Sequence, residues 1–332
     1  MQVLPLADAY GRVATDLRVS LTDRCNLRCS YCMPAEGLDW LPNDDVLDDD
    51  EVVRLVRIAV ERLGVDEVRF TGGEPLVRRG LVDIVARTRD ISADLELSIT
   101  SNGLGLARTA QALADAGLNR VNVSLDTVRR DTFHEMTRRD RLDDVVAGLE
   151  AAAAAGLGPV KVNAVLMRGV NDDQAAELLR WCLERSYELR FIEQMPLDAQ
   201  HGWSREGMIT ADEIFAALDQ EFDLTPAEEP RGSAPAEKFL VDGGPATVGV
   251  IASVTRPFCG DCDRVRLTAD GQIRNCLFAR NESDLRAALR RGADDEEIAR
   301  LWVIAMRGKA PGHGIDDESF LQPTRSMSAI GG

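Results

Sequence analysis

The stretch Leu17–Met33, LRVSLTDRCNLRCSYCM, runs from an apolar strand pattern straight into three thiols at C-x3-C-x2-C spacing. Leu17–Leu21 reads as a strand, and the loop after it carries Cys25, Cys29 and Cys32. Further β-branched or apolar runs at Val68–Thr71, Leu95–Thr100, Val121–Leu125, Val160–Leu166 and Leu189–Glu193 predict five more strands. Helical patterns lie between them at Glu51–Leu63, Leu81–Arg89, Thr109–Ala116, Leu142–Ala155 and Asp172–Arg185. The first keeps Val52, Val56, Ala59, Val60 and Leu63 on one face, with acidic residues Asp48 to Asp50 before it and Gly64 after it. Strands alternating with helices imply parallel β-α units.

Six units are too few for a closed eightfold barrel, so a doubly wound sheet and a partial barrel both fit the periodicity. The polar residues decide. They gather just after the strands: Cys25 to Cys32, Gly72-Gly73-Glu74, Ser101-Asn102, Ser124 with Asp126, and Gln194-Met195. Contributions from successive strand ends follow barrel logic, whereas a doubly wound sheet concentrates them at one switch point. The expected fold is therefore α/β, an incomplete parallel (βα)6 barrel over residues 1–224. A smaller C-terminal region, 225–332, follows a linker marked by Pro226, Pro230, Gly232 and Pro235, and contains an acidic helix from Asp294 to Met306.

Charge and cysteine usage narrow the function. The 39 basic residues face 56 acidic ones, for a net charge of −17, so nucleic acid is not an expected partner. No apolar leader opens the chain, and no run approaches the roughly 20 apolar residues of a membrane span. A cytoplasmic location is expected, with no membrane partner. Six of seven cysteines form two groups, Cys25, Cys29, Cys32 and Cys259, Cys262, Cys276. Without an export signal, such clusters read as metal ligands rather than disulfides. Cys182 stands alone and reads as an inert buried thiol on a helix face. His134, His201 and His313 lie beside neither group, although His313, in GHG, is a candidate loop ligand or hydrogen-bonding residue.

Three thiolates on one loop can hold three corners of an iron–sulfur cube and leave one iron open. A structural zinc site wants four closed ligands. The second group, FCGDCDRVRLTADGQIRNCLF at Phe258–Phe278, has C-x2-C-x13-C spacing. A zinc ribbon is its alternative reading, but a fourth ligand is missing here too. Asp270-Gly271 signals a hairpin. Strand alternation puts Cys262, Arg264 and Arg266 on one face. A two-residue turn would set Val265 opposite Cys276, on the wrong face; a three-residue loop would set Arg264 there. The longer loop is expected. It leaves two guanidinium groups beside three thiolates, an arrangement suited to an anionic ligand.

CNLRCSYC resembles the signature of the radical S-adenosylmethionine (SAM) enzymes. The resemblance implies a 4Fe–4S cluster on Cys25, Cys29 and Cys32 that binds SAM, whose cleavage releases a 5′-deoxyadenosyl radical. Tyr31, Gly73 of the Gly72-Gly73-Glu74-Pro75 turn, Ser124 and Met195 match positions that contact SAM. There the glycine lets the backbone approach the methionine amino group.

The two cysteine groups, FCGxCxRxRLTADG and the final Gly331-Gly332 are together similar to the GTP-cyclising radical SAM enzymes of molybdenum cofactor biosynthesis. That resemblance implies a second 4Fe–4S cluster on Cys259, Cys262 and Cys276, which holds GTP. Hydrogen is taken from ribose C3′, and the C3′ radical attacks guanine C8 to give (8S)-3′,8-cyclo-7,8-dihydro-GTP. Arg18, Arg69, Thr100, Lys161, Arg190, Arg264, Val265 and Arg266 would contact GTP. Arg18, Arg264, Arg266, Gly331 and Gly332 would serve catalysis. A one-electron reductant, a downstream pterin-forming enzyme that receives the product, and a homodimer are further implications. Two alternatives stay open: a peptide-modifying radical SAM maturase with an auxiliary cluster, and a non-enzymatic iron–sulfur electron carrier.

Overall fold

A computed structural model describes residues 3–331. All six expected strands form close to their expected places: β1 (Asp16–Ser20), β2 (Glu67–Thr71), β3 (Glu96–Ser101), β4 (Arg120–Ser124), β5 (Lys161–Val165) and β6 (Glu188–Ile192). Six further strands follow: β7 (Leu224–Pro226), β8 (Glu237–Val241), β9 (Thr247–Ile251), β10 (Arg264–Leu267), β11 (Gln272–Arg274) and β12 (Ser283–Asp284). The described residues make one sheet in the order β12-β11-β10-β1-β2-β3-β4-β5-β6-β9-β8-β7. The run from β10 through β1–β6 to β9 is parallel throughout. Antiparallel strands edge it on both sides.

The fold is thus an open α/β barrel, with a C-terminal region that supplies both flanks. The predicted Pro- and Gly-marked linker is corrected. Its first residues form β7, and residues 227–236 join two neighbouring strands of the same sheet.

The helices are α1 (Asp49–Leu63), α2 (Leu81–Arg89), α3 (Leu106–Asp115), α4 (Arg130–Thr137), α5 (Leu142–Ala154), α6 (Ala175–Leu183), α7 (Ala211–Leu218), α8 (Leu285–Arg290), α9 (Asp295–Arg307) and α10 (Met327–Ile330). None is long and apolar enough to cross a membrane. α1 starts where Asp48 Oδ1 accepts the Glu51 N–H at 2.8 Å and Glu51 Oε2 accepts the Asp48 N–H at 2.9 Å. It stops at Gly64, whose φ of 78° suits a residue without Cβ.

Strand alternation sorts the sequence into two faces. Leu17, Val19, Val68, Phe70, Leu97, Ile99, Val121, Val123, Val162, Leu189, Phe191, Val248, Val250, Val265 and Leu267 are buried in the main apolar core with the helices. The alternate positions face inward and are largely polar: Asp16 and Arg18, Glu67 and Arg69, Ser98 and Thr100, Asn122 and Ser124, Lys161 and Asn163, Glu188 and Arg190. A closed barrel usually fills its interior with branched apolar side chains. This one keeps it polar.

Ion pairs brace the end of the barrel where the strands begin. Glu67 Oε1 accepts from Arg69 at 2.6 Å and from Arg120 at 2.7 Å, and Arg120 also donates to Glu96 at 2.9 Å. Glu188 stands 3.6 Å from Lys161 and 3.8 Å from Arg190. Glu67→Gln should therefore destabilise the fold. The expected loss is about 1–3 kcal/mol, below the full cost of breaking a buried pair, because 26% of the Glu67 side chain stays exposed. Urea midpoints of the two proteins check it.

Candidate functional site

The first cysteine loop is held by backbone contacts on two sides. Gly72 and Gly73 follow β2 and press on the chain leading to Cys25. A Cβ on Gly72 would meet Thr22 O at 2.2 Å; one on Gly73 would meet Asp23 O at 2.3 Å and Arg24 O at 2.4 Å. The Gly73 N–H donates to Thr22 O at 2.7 Å and the Glu74 N–H to Arg24 O at 2.8 Å. On the other side, the last carbonyls of α4 accept from the loop: Met136 O from the Ser30 N–H at 2.8 Å, and Thr137 O from the Arg28 N–H at 3.1 Å. Arg138 donates to Arg28 O and Met33 O at 2.8 and 3.0 Å.

Buried acids stand close to this loop. Glu74 accepts from Ser101 Oγ at 2.8 Å and from the N–H groups of Asn102 and Leu76 at 2.6 and 2.9 Å. Burial nevertheless pushes its pKa up to about 7. Asn102 Nδ2 in turn lies 3.7 Å from Cys25 Sγ. The Tyr31 hydroxyl donates to Asp126 Oδ2 at 2.8 Å, and the Val165 N–H donates to Oδ1 at 2.8 Å. Burial raises Asp126 to about 6 and holds Tyr31 well above its ordinary value.

The second cysteine loop leads into β10, which pairs in parallel with β1, so it lies at the end of the barrel where the strands begin, opposite the end that carries the first loop. β10 pairs with β11 in the register Arg266 to Arg274 and Leu267 to Ile273, with Ala269-Asp270-Gly271 as the loop. This is the expected three-residue connection, and the same register carried two residues further brings Arg264 opposite Cys276. Arg12 donates to Cys259 O at 2.6 Å. Lys309 Nζ lies 3.3 Å from Cys262 Sγ. Burial opposes ionisation of the Cys262 thiol, yet Arg264 and Lys309 outweigh it and bring the pKa down to about 7.

Both triads line one cavity of about 330 Å³, together with Arg18, Arg69, Arg190, Arg264 and Arg266. Carboxylates answer these guanidinium groups only in part: Arg69 pairs with Glu67 at 2.6 Å, while Arg190 stands 3.8 Å from Glu188 and Arg264 3.6 Å from Asp263. Arg18 reaches only Asp16, at 3.4 Å, and its buried Nε has no partner. Burial, and repulsion from Arg69, pull Arg18 down to about 9. Burial likewise lowers Arg190 and Arg266 to about 10. Arg266 donates to the carbonyl of Gly331 at 2.5 Å, and Ser20 Oγ donates to Ile330 O at 2.9 Å. The tail is tucked so tightly that a Cβ on Gly331 would meet Ser20 Oγ at 2.2 Å.

Residues 19–182 match the model of the Radical SAM superfamily, and residues 187–315 match Molybdenum Cofactor Synthesis C. The GTP 3′,8-cyclase of Streptomyces coelicolor is 67% identical over 328 residues, covering 98% of this chain and 96% of that protein. That of Corynebacterium glutamicum is 57% identical over 336 residues, covering 98% and 89%. The chain belongs to the GTP 3′,8-cyclase family of radical SAM enzymes. Streptococcus suis SuiB bound to S-adenosylmethionine shares the fold, with a TM-score of 0.61 at 14% identity over 92% of this chain and 69% of that one.

Members of the cyclase family carry two 4Fe–4S clusters and use SAM, and the residues here fit both. Among the described residues, each triad presents three thiols to the shared cavity, and no further cysteine lines it. His313 is not a spare ligand. Its Nδ1 accepts the Ile315 N–H at 3.1 Å, which leaves Nε2–H to donate to Ser253 O at 3.0 Å. Cys182 is buried on α6, and burial pushes its pKa up to about 12, as expected of an inert thiol.

Of the cyclase-family positions inferred from sequence, Arg18, Tyr31, Arg69, Gly73, Thr100, Ser124, Arg190, Met195, Arg264, Arg266 and the six cysteines line the cavity. Two inferred substrate residues do not. The Val265 side chain points outward into the core, because strand alternation turns it away from its arginine neighbours. Lys161 sits one turn of the pleat below, at the start of β5 against Glu188. Gly332 lies outside the described residues. Sequence reading passed over the contacts of α4 and Lys309 with the cysteine loops, and over Asn163, which lines the cavity. The chain has only three lysines, and Lys309 follows the second triad by 33 residues, too far for a local motif. Gly73→Ala should dislodge the first loop and leave the second intact. Iron and sulfide per chain after anaerobic reconstitution should then fall to one cluster's worth.

Proposed function

We infer that this chain is a radical SAM GTP 3′,8-cyclase that converts GTP to (8S)-3′,8-cyclo-7,8-dihydro-GTP, the first step of molybdenum cofactor biosynthesis. The observation that carries the reading is a single cavity bounded by two thiol triads, with only partly neutralised arginines lining it. Cys25, Cys29 and Cys32 hold the cluster that serves SAM; Cys259, Cys262 and Cys276 hold the second. When bound, the first cluster and SAM supply a hydrogen-abstracting radical.

The chain's own residues do the rest. Tyr31, Gly73, Ser124 and Met195 seat SAM. Arg18, Arg69, Thr100 and Arg190, with Lys161 beneath them, receive the triphosphate, whose negative charge answers guanidinium groups that Asp16, Glu67 and Glu188 neutralise only in part. Arg264 and Arg266 orient the nucleotide beside the second triad. The Val265 contribution is through its backbone. Gly331 brings the tail against Arg266, since no larger residue fits beside Ser20. Residues 1–224 supply the SAM half, and residues 225–332 supply the second cluster and tail. The reading extends to a cytoplasmic homodimer supplied by a one-electron reductant and drained by a pterin-forming enzyme.

Anaerobically reconstituted protein with SAM, GTP and dithionite should yield 5′-deoxyadenosine and cyclised GTP; neither product with both clusters intact would refute the reading. Arg266→Ala should raise KM for GTP by about 10- to 100-fold, the worth of a charge-assisted hydrogen bond.

Lys161 adds a pH test. Burial first, and Arg190 next, pull its amine down to about 8. The free enzyme loses this positive charge as pH rises through 8, so GTP affinity should fall across that interval. Lys161→Met should bind more weakly and lack this inflection, as read by equilibrium dialysis from pH 7 to 9.

A further inference from the structure

Lys309 follows α9 and is only 3% exposed. Its backbone N–H is tied to Met306 O at 3.0 Å. Its side chain reaches back to the second cysteine loop, where Nζ meets Arg264 O at 2.9 Å, Cys262 O at 3.2 Å and Cys262 Sγ at 3.3 Å. An ammonium has three protons, and three acceptors surround this one. Among the described residues, no carboxylate stands within ion-pair distance of it; Lys161, by contrast, has Glu188 at 3.6 Å. Burying a full positive charge against carbonyls alone is costly. Among the described residues, the one anion offered to Lys309 is the sulfur of Cys262.

We propose that Lys309 is the built-in counter-ion of the second iron–sulfur cluster and raises its reduction potential through Cys262. Reduction adds one electron, and hence one negative charge, to a cluster whose three thiolates already make it electron-rich. A fixed cation touching a ligand sulfur stabilises the reduced state more than the oxidised state. Its place sets Lys309 apart from Arg264 and Arg266. Those line the cavity, whereas Lys309 is not among the lining residues and approaches Cys262 from behind. It is a positioning residue that acts through Cys262 without touching substrate. The proposal rests on the two-cluster assignment and is independent of which nucleotide the cavity takes.

The test is an EPR-monitored redox titration of reconstituted holoenzyme, with iron and sulfide counted in parallel. The first cluster is recognised by the change in its signal on adding SAM. Lys309→Gln keeps amide protons for the carbonyls and removes the charge; Lys309→Arg keeps the charge. Lys309→Gln should lower the midpoint of the SAM-insensitive cluster by at least a tenfold shift in its reduction equilibrium, 59 mV for one electron. The first cluster's midpoint should not move, and Lys309→Arg should stay near wild type. Should Lys309→Gln lose the second cluster while Lys309→Arg retains it, the counter-ion role is equally supported. Unchanged midpoints in Lys309→Gln at full iron content would overturn the proposal. So would equal shifts in both clusters, or loss of the second cluster in both variants, since packing alone would then account for the lysine. Because the readout is a potential, it stands or falls separately from GTP turnover.

Discussion

Buried positive charge is the constraint around which this molecule is built. Arg18, Arg69, Arg190, Arg264 and Arg266 face one cavity, and carboxylates neutralise them only in part. Burial and mutual repulsion pull Arg18, Arg190 and Arg266 below their ordinary values. The apolar outer faces of the same strands sustain this arrangement. Val19, Phe70, Ile99, Val123 and Phe191 lock each strand against the helices, so the inward side chains cannot swing out to water. A chain of net charge −17 can therefore present a cationic interior, because its carboxylates lie mostly outside and are screened over about 8–10 Å.

The thiol loops depend on a different kind of restraint. Around the first, most contacts are to the main chain: Gly72 and Gly73 against residues 22–24, the α4 carbonyls against Arg28 and Ser30, and Arg138 across two loop carbonyls. Around the second, Arg12 and Lys309 grip carbonyls of Cys259, Cys262 and Arg264. Main-chain contacts place the sulfurs without adding side chains that compete for the open face of the cavity. This is why glycine, which permits such close approach, recurs at the tail, where Gly331 sits beside Ser20.

Legibility followed how local each signal was. The strand and helix periods were plain, and the hairpin after β10 could be read to its loop length because Cys262, Arg264 and Arg266 had to share a face with Cys276. α4 went unread: it is short and polar, no side chain caps its start, and only Phe133, Met136 and Thr137 are buried. Val265 stands between two arginines of the motif, yet alternation alone turns its side chain outward. The stretch rich in Pro and Gly after Thr225 looked like a linker because edge strands tolerate proline, as β7 does at Pro226.

The sequence by itself determined the β-α rhythm, the two thiol triads, the polar strand ends and the arginine spacing beside the second triad, because each is a pattern over a few neighbouring residues. Only the tertiary structure decided that β9 and β10 join the barrel as its outer parallel strands. That pairing brings triads more than 200 residues apart onto one cavity, and it sets Lys309 behind Cys262. Such pairings rest on hydrogen bonds and packing between distant segments, whose energies depend on what lies opposite rather than on what lies next in the chain.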